Sequence, residues 1–128
     1  MLEDELKMKY MMLVYLDEKA WGNLTAEEQR VAMDECTPHM KDLVSKGKFL
    51  GGAPLQPTTT ASTVRVREGK RLVTDGPFAE TREQLGGYGL IDANDHQDAI
   101  EIAAGFIGSG KWSTIEVRPL VEFASAAT

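Results

Sequence analysis

Residues 8–16, Met-Lys-Tyr-Met-Met-Leu-Val-Tyr-Leu, are apolar almost throughout. A strand with one wet face would alternate, so this run predicts a central strand covered on both faces. Residues 17–24 are polar and predict a loop. Thr25-Ala26-Glu27-Glu28 then has the form of a capping box, with Thr25 as N-cap and Glu28 at N3. The helix it opens is predicted to run to about Lys46, with Gly47 as its stop. Ala32, Cys36, His39/Met40 and Leu43 form its inward stripe. Pro38 interrupts the stripe. It predicts either a kink or a fresh start with Thr37 as N-cap and Pro38 at N1.

Residues 48–55, Lys-Phe-Leu-Gly-Gly-Ala-Pro-Leu, predict a second strand, with Gly51 and Gly52 allowing a bulge or a close backbone approach. Residues 56–62 form a Pro/Thr/Ser loop. Thr63 to Arg67 alternates cleanly, Glu68-Gly69-Lys70 is a hairpin turn, and Arg71 to Thr74 returns. The hairpin leads into Asp75-Gly76-Pro77-Phe78. Gly86 to Ala93 predicts another strand, and Asn94/Asp95 caps a second helix with Ala99, Ile102, Ala103 and Phe106 inward. Glycines 105, 108 and 110 end that helix, and Trp112 to Leu120 is the last strand.

The order is β-α-β, a hairpin, then β-α-β. Two split β-α-β halves with helices on one face of an antiparallel sheet make a ferredoxin-like α+β domain, here expected over residues 8–120 with tails at 1–7 and 121–128. Such a sheet has one bare face, which a first strand apolar on both sides does not suit. A homodimer whose two sheets close around a shared interior resolves the conflict.

At 128 residues the chain has the length of one domain and can bury a core without disulfides. Its net charge of −6 speaks against a nucleic-acid or anionic-membrane surface, while leaving room for a local basic pocket. One cysteine, Cys36, cannot form an internal disulfide, and cysteine poverty fits the cytoplasm. The first residues are acidic and lack the apolar core of a secretory signal. No apolar run approaches the about 20 residues that span a bilayer.

His39 is the leading candidate for chemistry. Histidine titrates near neutral pH, and this one sits beside the apolar stripe at an interrupted turn, where an acid–base role competes with that of a core-edge ring satisfied by a backbone carbonyl. Asp75 is the candidate partner, although aspartate at the first position of a Gly-Pro turn also serves its own backbone. Phe78 and Tyr88 are candidates for ligand contact, Phe78 reading first as an apolar plug. Arg82 and Arg118 are candidates for a small polar or anionic ligand through the guanidinium fork, against solvated surface pairs. Gly105 to Lys111 has the spacing of a phosphate loop but follows a helix and precedes a strand, the reverse of what phosphate binding needs. Gly86-Gly87-Tyr88-Gly89 lies inside a strand and opens no helix, so it is no dinucleotide fingerprint. Cys36 and His39, one helical turn apart, are too few to close a metal site. Nothing in the pattern points to a cofactor.

The motif Thr74-Asp75-Gly76-Pro77-Phe78-Ala79-Glu80-Thr81-Arg82-Glu83 resembles that of the DGPF group of the YCII-related proteins. Met8 to Leu13, Gly51-Gly52-Ala53-Pro54-Leu55, Gly86-Gly87-Tyr88 and Glu116-Val117-Arg118-Pro119 extend the resemblance over most of the chain. It implies a ferredoxin-like fold, a dimeric α+β barrel, and a His–Asp active-site pair in shorter relatives, to which His39 corresponds by its Pro/His context. It also implies a regulatory or stress link, since DGPF proteins tend to be encoded beside extracytoplasmic-function sigma factors. Three readings stay open at this point: a small-molecule enzyme using His39 and Asp75, a non-catalytic ligand- or partner-binding protein tied to transcriptional control, or a dimeric scaffold with a relic pocket.

Overall fold

The computed structural model describes residues 8–107 and 112–121. Of the tails expected at 1–7 and 121–128, residues 1–7 and 122–128 lie outside the described residues, as do glycines 108 and 110, expected to end the second helix. Strand β1 (Met8–Leu16) leads to a short helix α1 (Glu18–Gly22), then α2 (Ala26–Asp34) and α3 (Thr37–Ser45). Strand β2 (Phe49–Pro54), a 3-10 turn (Thr58–Thr60), and strands β3 (Ser62–Arg67), β4 (Lys70–Asp75) and β5 (Gln84–Ala93) follow. Helix α4 (His96–Ile107) and strand β6 (Thr114–Pro119) complete the order.

Strands β2-β5-β1-β6 form one antiparallel sheet, and β3-β4 form a separate hairpin. The fold is thus α+β. Tyr10 faces Ile91 across β1–β5, and Met12 faces Gly89. These positions point toward the helices, where Tyr10, Met12, Ile91 and Ala93 pack with Leu43 of α3 and Ala99, Ile102 and Ala103 of α4 into one core. The intervening positions of β1, Met11, Leu13 and Tyr15, point to the other face by strand alternation and are half-buried. There Met11 sits beside Leu90 and Leu13 beside Tyr88. The helices lie on one face, and the first strand is apolar on both.

The capping box forms as the sequence predicts: Glu28 N donates to Thr25 Oγ1 at 3.1 Å, and Thr25 N to Glu28 Oε1 at 2.9 Å. The bonds with Thr25, its backbone amide first, hold the Glu28 carboxyl below its ordinary range. The expected single helix to Lys46 is two helices, broken at Glu35–Cys36. Thr37 is not the N-cap. Cys36 takes that place without a side-chain cap, and Pro38 falls in the first turn of α3, where its missing N–H costs nothing. Helix α1 occupies the expected polar loop, because Asp17 Oδ1 accepts from Lys19 N at 3.0 Å and Ala20 N at 3.2 Å. Asp95 caps α4, accepting from Asp98 N at 2.8 Å.

The hairpin turns on Glu68 and Gly69, whose positive φ values (51° and 76°) suit a two-residue turn with the strands' own twist. Val64 pairs with Val73 across it, and both stay exposed, as does Val66. A lone two-stranded hairpin is marginal in water. Gly76 (φ 88°) takes the chain out of β4, its N–H donating to Ala61 O at 2.8 Å. The glycine of Asp-Gly-Pro-Phe is accounted for by that turn.

Candidate functional site

A cavity of about 720 Å³ lies between the helices and one end of the sheet. Met12, Val14, Gly87 and Gly89 form its floor. Ala32 and Met33 of α2, Cys36 at the break and Met40 of α3 form its roof. The hollow follows from sequence. On this face β5 presents Gly87 and Gly89 opposite Val14 and Met12, so half of the strand pair has no side chain to fill the space. Gly52 and Gly89 also bring β2 and β5 close: a Cβ on Gly52 (φ 151°) would meet Tyr88 O at 2.4 Å and Gly89 Cα at 2.8 Å.

Helix α1 closes the rim. Trp21 and Trp112, the two tryptophans of the chain, meet edge to face with centroids 6.2 Å apart, and both line the cavity. Gln29 Nε2 donates to Trp21 O at 3.0 Å. Glu18 N donates to Gln84 Oε1 at 2.9 Å. The Glu18 carboxylate accepts from Thr58 N at 3.2 Å and from Thr58 Oγ1 at 3.3 Å, which ties α1 to the loop after β2. Glu18, Gln29, Glu35, Gln56 and Ser113 are polar residues in a predominantly apolar wall. Sequence reasoning missed α1 and its rim. The signal was present in Asp17 before Glu18-Lys19-Ala20 and in Gly22 at the helix end.

His39 lies outside the lining of this cavity and of a smaller one of about 310 Å³ beside it. Its Nε2–H donates to Ile102 O at 2.8 Å, and its ring meets Phe106 edge to face at 4.6 Å. The ring also sits over Gly105, where a Cβ would approach Cε1 and Nε2 to 2.4 Å. One turn earlier, the Cys36 thiol donates to Phe106 O at 3.0 Å. The two side chains therefore grip the last turns of α4: Cys36 serves Phe106 O, one of the last four carbonyls that lack a partner within the helix, and His39 holds Ile102 O one turn earlier. Burial first, then the neighbouring Glu35, pushes the Cys36 thiol above its ordinary value, which makes it a poor nucleophile.

Asp75 ends β4 in an exposed position, and no hydrogen bond or ion pair joins it to His39 among the described residues. Phe78 is 78% exposed. Arg82 is exposed, and Arg118 sits on the strand face away from the helices, its Nε 3.7 Å from Glu116 Oε2. Of the candidates, Tyr88 borders the cavity, although by strand alternation its side chain lies beside Leu13 on the helix-free face. No group of His, Cys, Asp and Glu among the described residues is arranged to hold a metal ion. No helix among them is long and apolar enough to cross a membrane.

Fold and cavity together define a small α+β domain with an apolar hollow between its helices and its sheet. The YCII-related domain family matches residues 8–124, and the chain belongs to that family. An uncharacterized protein of Rhizobium meliloti (strain 1021) is 38% identical over 114 residues, covering 88% of this chain and 92% of that protein.

Proposed function

We propose that this chain is a ligand-binding YCII-related protein of the DGPF group, which takes a small lipophilic molecule into the cavity beneath α2 and α3. One observation carries the reading: a hollow of about 720 Å³, within the range of small-molecule sites, with apolar walls and both tryptophans at its rim. Acid–base catalysis by His39 and Asp75 is the weaker reading. The His39 Nε2 proton is engaged by the Ile102 carbonyl, and neither residue lines the cavity. A ligand sensor of this kind fits the transcriptional link that the DGPF resemblance implies.

The strand order β2-β5-β1-β6 supports a ferredoxin-like split β-α-β arrangement. A homodimer of the α+β-barrel kind is part of the proposal. It is supported by the apolar stripe Met11, Leu13, Tyr15 and Leu90 on the helix-free face, and by the exposed valines of the hairpin. Sedimentation is expected to give twice the 14.1 kDa chain mass, and a monomer at micromolar concentration would overturn the dimer.

Tryptophan fluorescence tests the site, because both tryptophans of the chain, Trp21 and Trp112, line it. Titration with decanol is expected to change the emission saturably in the wild type. Ala32→Phe, which places a ring in the roof, is expected to abolish the change. An unresponsive wild type, or an equal response in the variant, contradicts the reading.

A further inference from the structure

Among the described residues, the charged side chains that line the cavity are acidic: they are Glu18 and Glu35, and no Lys, Arg or His joins them. Arg82 and Arg118, the residues suited to an anion, lie outside the lining. Glu18 is the carboxylate that matters here. Its oxygens are held by Thr58 N and Thr58 Oγ1, neutral donors that fix its position without cancelling its charge. Trp21 stands three residues later on the same helix, and an i,i+3 pair shares one helix face. Trp112 meets Trp21 edge to face. A carboxylate and two indoles lining the same apolar hollow are complementary to an organic cation. The ring faces attract positive charge, the carboxylate pairs with it, and the interior takes the hydrocarbon.

We propose that the cavity selects a lipophilic ammonium ion, with its alkyl or aryl body over the glycine floor and its cationic head between Glu18 and the two tryptophans. This rests on the cavity being a ligand site and names the class of ligand. An anion of the same shape meets the Glu18 carboxylate at the rim and is disfavoured.

A matched trio decides it: decylammonium, decanol and decanoate, below their micelle-forming concentrations, followed by tryptophan fluorescence. Decylammonium is expected to bind about tenfold more tightly than decanol, and decanoate more weakly than either. Glu18→Gln keeps an acceptor for Thr58 and is expected to bring decylammonium to within about twofold of decanol. The chain's net charge of −6 attracts cations generally, so Ala32→Phe must also lose the decylammonium response. Should Glu18→Gln fail to fold, the wild type still decides by methionine methyl NMR: decylammonium must shift Met12, Met33 and Met40 and leave Met8 and Met11 in place. Decanoate binding as tightly as decylammonium, or a preference unchanged in Glu18→Gln, overturns the ammonium proposal and leaves the cavity reading standing. Silence from all three compounds overturns both.

Discussion

The two ends of the helix-covered face of the sheet are built from similar pieces with opposite results. At one end α4 lays Ala99, Ile102 and Ala103 onto Tyr10, Ile91 and Ala93, and all six are buried. At the other end α2 has no buried residue, and the sheet below it is hollow. Both helices are capped and both are amphipathic. The difference lies in what the strands offer. Beneath α4 the strands present Tyr10 and Ile91, whereas beneath α2 the strand β5 presents Gly87 and Gly89. A helix face becomes core only when the opposite surface has side chains to meet it. Where it has none, the chain keeps a space.

The largest effect expected from this contrast is in stability. Ile91 is 0% exposed, so Ile91→Ala is expected to cost about 3 kcal/mol in a denaturant melt. Met33 lines the cavity and is 58% exposed, so Met33→Ala is expected to cost less than about 1 kcal/mol. Equal costs would erase the distinction between packed and hollow ends.

A second effect tests the junction between the two ends. Gly105→Ala would place a methyl against the His39 ring. It is expected to lose about 1–3 kcal/mol, although alanine favours helix more than glycine does. Removing the ring in the double variant, His39→Ala with Gly105→Ala, is expected to recover part of that loss. Strict additivity of the two changes would show that His39 is not a packing key.

Much of this was legible in the sequence. The capping box at Thr25, the α4 stripe and the β1 run apolar on both sides each rest on local spacing, and the structure has all three. The break between α2 and α3 was legible as an alternative at Pro38, but the chain divides at Glu35–Cys36. The helix interrupts itself a turn early so that proline falls in the first turn of the next helix. The role of His39 was not decidable from its stripe position. A ring that serves a pocket and a ring that grips a neighbouring helix occupy the same place on a helical wheel, and the choice depends on Gly105, distant in sequence. The cavity itself was hidden because it consists of what is missing. Gly86-Gly87-Tyr88-Gly89 was its trace, and on sequence it reads equally as close strand packing.

Smaller effects sharpen the picture. Ala32→Phe fills space in the roof instead of crowding a core, so its stability is expected to stay within about 1 kcal/mol of wild type while ligand binding is lost. A larger loss would mean that the roof is already packed. The smallest effect is alkaline. The folded chain favours the protonated Cys36 thiol, whose ordinary value is 9.0. Its contribution is present below that pH and is lost as pH rises through the raised folded value. Cys36→Ser removes this titration, so the variant's melting temperature is expected to fall less steeply than that of the wild type above about pH 9. Parallel slopes would show that the thiol is not held protonated.

Methionine methyl NMR tests the central claim most directly, because the methionines sample both sides of the sheet. Met12, Met33 and Met40 line the cavity, while Met11 points to the helix-free face and Met8 lies outside the lining. Titration with decanol is predicted to move the methyl resonances of Met12, Met33 and Met40 together, saturably, with Met8 and Met11 unmoved. A shift centred on Met11, or no shift at any methionine, would contradict a ligand site between the helices and the sheet.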